Sequence, residues 1–313
     1  MAIALVGASS QIARDLILSF AEQSTQPLSL FVREPQALQS WLATVGLQNR
    51  YAVADYGHFG EAEYQAVINF VGVGDPAKAL RMGGSVLEVT WHYDTLVLDY
   101  LRRYPHCRYL FLSSGAVYGS RFMEPVNEQS VAQLPVNALT PQDYYGIAKL
   151  HAECRHRACA EWPIVDLRVF NYFSHTQDLA ARFLITDLLR AILRREVVRV
   201  SPDYIVRDFL HPADFYRLVC AVLQAPPSNL AVDCYTLAPV DKPALLAALQ
   251  EKFALQVEMA AGAAVNATGS KPHYYSLQRR AAQLGYQPQL SSLQGIVLEA
   301  EKVLRREEQG KGG

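Results

Sequence analysis

The sequence predicts an α/β protein: a doubly wound parallel sheet followed by a smaller carboxyl-terminal α/β lobe. Three observations carry this. The first half alternates short apolar runs with amphipathic stretches, the order that right-handed crossovers between parallel strands require. The first apolar run opens into a loop of small residues ahead of a helical segment. After Phe170 the alternation loosens into helical stretches separated by proline-rich joints.

The strand candidates are IALV (3–6), LSLFV (28–32), YAVA (51–54), VINFV (67–71), RYLFL (108–112) and PIVDLRVF (163–170), short apolar runs that suit strands buried on both faces. Between them QIARDLILSFAEQ and VTWHYDTLVLDYLRRY repeat apolar residues at three-to-four spacing and read as helices. Further helices are expected near 179–195, 212–224, 241–253 and 291–305, with QAPPSNL and APVDKP as joints. The sheet domain is therefore placed at 1–170 with a returning piece at about 205–237, and a substrate lobe at about 171–204 and 238–305. The end, RREEQGKGG (residues 306–313 after Arg305), is expected to be a flexible tail.

Composition narrows the function. A chain of 313 residues, 50% hydrophobic and with a net charge of -1, buries a large core and carries neither a nucleic-acid footprint nor an acidic tail. Its expected partner is a small molecule. Five cysteines without a CxxC pair fit reduced thiols in a cytoplasmic protein. His151, Cys154 and His156 do not share one helix face, so no metal site is expected. The opening MAIALVGASS lacks a basic start and no apolar run approaches the ~18 residues of a membrane span, so no membrane association is expected. The sequon Asn266-Ala267-Thr268 has no consequence in a cytosolic chain.

The turn after the first strand reads Gly7-Ala8-Ser9-Ser10-Gln11-Ile12-Ala13. At a strand-to-helix junction, small residues let backbone N–H groups and the helix dipole approach a dinucleotide pyrophosphate. Gly7, Ser9, Ser10, Gln11 and Ile12 are the candidate contacts, although an ordinary βα turn has the same look. The second strand ends LFVREP, with Arg33 at or one place beyond the position where an acid would hold a free ribose 2′-hydroxyl. A guanidinium pairs with a 2′-phosphate, so NADP(H) is favoured over NAD(H); a solvated surface arginine is the alternative. Asp55, after the third strand, is a candidate adenine contact or a solvated strand-end acid.

Tyr145 and Lys149 stand four apart in a helical stretch and so share a face. A phenol with a reference pKa of about 10 becomes a usable acid or base beside an ammonium and a cationic nicotinamide. The run FLSSGAVYG places serines at the mouth of a strand, where they either cap a turn or face a substrate. A carbonyl being reduced needs a hydride donor, a proton donor and a second hydrogen bond for orientation. A nicotinamide, Tyr145 and Ser114 supply these three, which makes Ser114, Tyr145 and Lys149 the candidate catalytic residues.

These motifs resemble the extended short-chain dehydrogenases/reductases of the nucleotide-sugar epimerase and reductase group. The matching residues are GASSQIA at 7–13, VINFVG at 67–72, SSGAVYG at 113–119, PQDYYGIAK at 141–149, LRVFN at 167–171, RDFLH at 207–211 and QLGYQP at 283–288, in the family's order along nearly the whole chain. The resemblance implies a Rossmann fold, the same catalytic trio, a cofactor wall at Phe70, Val71 and Gly72, substrate contacts from Asn171 and Arg207, and a homodimer. A planar guanidinium at Arg207 suits a substrate pyrophosphate; the alternative is a surface pair with Asp208. His211 is expected to be structural. The chain departs from the pattern in three places: Ser10 and Ala13 replace glycines, Thr90-Trp91 stands where Asn is usual, and Gly115-Ala116 replaces the acid pair of sugar dehydratases. Dehydration is therefore not expected.

The function expected is NADP(H)-dependent reduction of a 4-keto group on a nucleotide-linked sugar. The alternatives are 4-epimerisation by the same trio, a non-catalytic NADP(H) sensor, and reduction of a non-nucleotide ketone. Phe173, His175, Tyr204 and Tyr274 are lobe residues to which the sequence assigns no role.

Overall fold

The computed structural model describes residues 1–73, 76–260 and 271–311. The sheet half contains β1 (Ala2–Val6), α1 (Gln11–Gln23), β2 (Leu28–Phe31), α2 (Pro35–Thr44), β3 (Ala52–Ala54), β4 (Tyr64–Asn69), α3 (Pro76–Met82), α4 (Ser85–Arg103), β5 (Arg108–Ser114), α5 (Tyr144–Ala158) and β6 (Ile164–Val169). The remainder comprises β7 (Asn171–Tyr172), α6 (Leu184–Arg194), β8 (Val197–Val200), β9 (Val206–Arg207), β10 (Phe209–Leu210), α7 (Pro212–Gln224), β11 (Leu230–Asp233), β12 (Val240–Asp241), α8 (Lys242–Phe253), β13 (Gln256–Met259), β14 (His273–Tyr274) and α9 (Ser292–Lys311).

Seven strands form one parallel sheet in the order β11-β6-β5-β4-β1-β2-β3. The chain winds outward from β1 through β2 and β3, then returns to its other side at β4. The strand order therefore reverses between β1 and β4, where ligands of open α/β sheets bind beyond the carboxyl ends. Val6 pairs with Phe31 on one side and Asn69 on the other, so all three strands end level at this crevice.

Both faces of the sheet are covered, as near-continuous apolar strands require. Leu16, Ile17 and Phe20 of α1 join Leu38 and Leu42 of α2 and Leu218, Val219 and Val222 of α7 on one face. Val97 and Leu101 of α4 pack with Ala152 of α5 on the other. A separate core lies outside the sheet: Leu188 and Leu189 of α6, Leu245 and Leu249 of α8, and Ile296, Ala300 and Val303 of α9. Each such side chain removed from water contributes about 1.5–3 kcal/mol before ordering costs.

Two expected boundaries move. The strand at 67–71 lies earlier, at Tyr64–Asn69, which leaves Phe70 and Val71 on the loop beyond it. The strand at 108–112 runs on through both serines, because Ser113 pairs with Arg168 and Ser114 with Val169. At the carboxyl end α9 continues to Lys311, since Arg, Glu, Gln and Lys are strong helix formers and Glu301 lies one turn before Arg305. The sequon at 266–268 lies outside the described residues. No helix among the described residues is long and apolar enough to cross a membrane.

Candidate active site

Side chains alternate across a strand, so the two serines ending β5 cannot share a fate. Ser113 Oγ donates to Glu153 Oε1 at 2.6 Å. Ser114 turns the other way, with its Oγ 3.4 Å from the Tyr274 hydroxyl. It also accepts from the Ala116 amide at 3.2 Å and caps the short turn Gly115–Tyr118. Turn cap and site hydroxyl, posed as alternatives by the sequence, are one residue.

Tyr145 enters on the first turn of α5, where its phenol lies within the electrostatic reach of Ser114. Burial pushes the phenol above its ordinary pKa, and Ser114 offsets part of that rise. The close seat of α5 depends on Gly146: a Cβ there would come within 2.5 Å of the Ala116 carbonyl oxygen. One helical turn on, Lys149 is 3% exposed; its Nζ donates to the Leu112 carbonyl at 2.7 Å and lies 4.4 Å from the Phe111 ring centroid. Burial lowers this ammonium to about 8, while Asp94, Asp166 and Glu153 pull the other way.

The crevice fits a dinucleotide. Gly7 has φ +80, and a Cβ on it would meet the Val71 amide nitrogen at 2.9 Å. A Cβ on Gly72 would lie 3.0 Å from Lys149 Nζ. Gly7 thus lets the loops after β1 and β4 approach closely, and Gly72 lets Lys149 do so. Ser10 caps α1 through its bond from the Ala13 amide, Gln11 Nε2 donates to Ser174 Oγ at 3.0 Å, and Ile12 is partly buried. Ser9 and Arg33 are exposed at the rim. Asp55 is committed locally: its Oδ1 accepts from the Gly57 amide and faces His58 Nδ1, both at 2.9 Å, and the bond with His58 holds its carboxyl below the usual range. The Phe70 ring packs in the core against Phe215, and the Val71 carbonyl approaches Lys149, at 3.5 Å.

The substrate side is built from residues far apart in sequence. Arg207 Nη1 donates to the carbonyls of Val206, Lys271 and Pro272, at 2.8, 2.5 and 3.4 Å. The alternative pair with Asp208 does not form: that carboxylate is buried and occupied by Thr236 and Ser292. Among the described residues no carboxylate neutralises Arg207, and burial lowers it to about 10. Tyr274 is central. Its ring lies 5.9 Å from the Arg207 guanidinium and 4.9 Å from the Lys271 ammonium, and its hydroxyl reaches Ser114. Burial lowers Lys271 to about 8, with Arg207 adding to the fall. Asn171 donates to the carbonyls of Asp208 and Tyr274. Tyr204 is exposed, Phe173 is in the lobe core, and His175 and His211 both bind Glu299, a structural role for His211.

Gly115 explains why no acid follows Ser114. A Cβ there would come within 2.5 Å of the Phe170 ring, which packs on Tyr274 at 5.1 Å between centroids. Gly115→Ala is expected to displace Phe170, destabilise the fold by about 1–3 kcal/mol in a denaturant titration, and lower activity through Tyr274.

A parallel sheet that reverses beside a glycine turn, with Ser114, Tyr145 and Lys149 converging at the carboxyl end of β5, has the architecture of the extended short-chain dehydrogenase/reductase class. Residues 3–238 match the NAD dependent epimerase/dehydratase family, and the chain belongs to it. It is 37% identical over 123 residues to UDP-glucose 4-epimerase 4 of Oryza sativa subsp. japonica, and 35% identical over 123 residues to UDP-glucose 4-epimerase 2 of Arabidopsis thaliana. Each match takes in 36% of this chain and about a third of the relative, 30% and 31% respectively. In fold it is similar to a UDP-glucose 4-epimerase of Thermotoga maritima solved with UDP-glucose (TM-score 0.80, 18% identity, 99% of this chain and 100% of that one). It is also similar to one of Stenotrophomonas maltophila solved with NAD and formylated UDP-arabinopyranose (TM-score 0.81, 16% identity, 99% of both chains).

Proposed function

We propose that the protein reduces a 4-keto group on a nucleotide-linked sugar with NADP(H). The observation that carries this reading is the convergence of the Ser114 hydroxyl at the end of β5 with Tyr145 on the first turn of α5, one helical turn from the buried ammonium of Lys149. Gly7, Ser10, Val71, Gly72 and Lys149 would hold the dinucleotide, whose nicotinamide supplies the hydride when bound. Tyr145 holds the proton destined for the carbonyl oxygen, and Ser114 supplies the second hydrogen bond that orients that oxygen. Lys149 keeps positive charge beside the phenol, favouring proton release. Arg207, without a carboxylate of its own, receives the substrate diphosphate, for which a planar fork of donors is suited. Dehydration stays disfavoured, because the space an acid would need after Ser114 belongs to Phe170. The homodimer implied by the resemblance would use α4, where Trp91 is exposed.

One observation favours a second reading, 4-epimerisation: the curated relatives are UDP-glucose 4-epimerases. The two differ in cofactor balance. Incubation with NADPH and a UDP-linked 4-keto-hexose is expected to consume NADPH in proportion to product. Interconversion of UDP-glucose and UDP-galactose without net nucleotide consumption would overturn reduction in favour of epimerisation. In parallel, Arg33→Ala is expected to weaken NADPH roughly tenfold or more, the loss of a charged hydrogen bond, and to leave NADH nearly unchanged. An equal effect on both nucleotides counts against Arg33 as a phosphate reader.

A further inference from the structure

The reaction proposed needs Ser114 to donate to the reacting oxygen, yet a serine hydroxyl rotates freely and offers one donor against two acceptor lone pairs. Something must set the direction of its hydrogen. One lone pair is accounted for: Ser114 Oγ accepts from the Ala116 amide at 3.2 Å, the bond that caps the turn Gly115–Tyr118. The hydroxyl of Tyr274 stands 3.4 Å from the same oxygen. At that length the contact is loose, as site hydrogen bonds often are before a substrate draws them in.

Distance alone lets either oxygen donate across this contact, and the surroundings decide. Tyr274 is 8% exposed, and among the described residues its hydroxyl has no hydrogen-bond partner besides Ser114 Oγ. A buried phenol O–H needs an acceptor. Burial holds this phenol above its ordinary pKa, so the proton stays on it near neutrality. The ring is also held in place. It packs edge-on against Phe122 at 4.6 Å and against Phe170 at 5.1 Å between centroids, and the Tyr274 carbonyl accepts from Asn171 at 3.5 Å. The Arg207 guanidinium and the Lys271 ammonium, 5.9 and 4.9 Å from the ring centroid, put positive charge beside the phenol, which favours it as a donor.

We infer that Tyr274 is a positioning residue for the reaction: its hydroxyl donates to Ser114 Oγ, fills the second lone pair, and leaves the serine hydrogen for the reacting oxygen. The inference rests on the role of Ser114 proposed above. It holds for reduction and for 4-epimerisation alike, since both require that oxygen to be held. Tyr274 acts through Ser114 and not on the reacting atoms.

The test is a double-mutant cycle on the full-length protein, followed by NADPH consumption with a UDP-linked 4-keto-hexose or by interconversion of UDP-glucose and UDP-galactose, whichever the unaltered protein performs. Tyr274→Phe keeps the ring and removes only the hydroxyl, and retained dinucleotide affinity shows that the variant is folded. It is expected to lower kcat roughly tenfold with KM within about twofold, the worth of one hydrogen bond. Ser114→Ala is expected to cost about 10²-fold or more. In the Ser114→Ala background, Tyr274→Phe should then change kcat by less than about twofold, because the group it orients is gone. A tenfold loss that persists in that background makes Tyr274 independent of Ser114 and overturns the inference. An unchanged or faster rate in Tyr274→Phe alone also overturns it, as the result expected if Ser114 donates to the phenol and the phenol competes with the substrate. If the unaltered protein performs neither reaction, the role of Ser114 fails and the inference fails with it; an active protein with an additive cycle removes the inference alone.

Discussion

Tyr145→Phe is expected to lower turnover by roughly 10²- to 10⁴-fold, the usual contribution of a positioned proton donor. Dinucleotide affinity should stay within about twofold, because the ring is kept and only the group that acts in the transition state is lost. The hydroxyl of Ser114 remains, but an aliphatic hydroxyl does not replace a phenol as a proton donor. Single-turnover kinetics with saturating nucleotide separates the steps: binding unchanged and the chemical step slowed supports the assignment. A variant that turns over normally removes Tyr145 from the chemistry. The pH dependence has a definite sign. Lys149 loses its proton near 8, so its support for the phenol is present below that pH and fades above it. The reductive rate should therefore fall on the alkaline side.

The convergence of Ser114, Tyr145 and Lys149 was legible because sequence spacing fixes where each side chain points. Tyr145 and Lys149 share one helix face, and the strand pleat decides which of two adjacent serines reaches the crevice. Arg207 was legible as a motif, but its lack of a carboxylate emerged only from its bonds to the carbonyls of Val206, Lys271 and Pro272. Tyr274 was legible only as a lobe candidate without a role, since it lies 160 residues from Ser114 and only tertiary packing brings their hydroxyls together. The inward turn of the Phe70 ring, which packs on Phe215, was equally invisible in the sequence. Asp94, His156 and Asp166 were also hidden, because a buried polar network has no periodicity of its own.

That network yields the largest expected effect on stability. His156 is fully buried between Asp166 Oδ1 at 2.6 Å and Asp94 Oδ1 at 2.7 Å, and Asp94 also accepts from Tyr109 and Arg155. Burial alone would lower the imidazole, but the two aspartates outweigh it and raise it to about 9. His156→Leu removes the shared cation from two buried carboxylates and is expected to cost about 3–5 kcal/mol in a denaturant titration. A folded-state pKa raised above an unfolded value of about 6.5 gives stability that is complete below about 6.5 and lost as pH rises through about 9. Unaltered protein should therefore lose roughly 3 kcal/mol across that window, and His156→Gln, which does not titrate, should lose much less. Equal slopes for the two would sink the electrostatic account. The effect should also reach the site. The ring of Phe111 lies 5.1 Å from His156 and 4.4 Å from Lys149 Nζ, and the same two aspartates act on that ammonium. Removing the imidazolium leaves their negative field uncompensated, which favours the charged lysine. The alkaline limb of the rate should then move upward in His156→Gln, a shift that loss of packing alone would not produce.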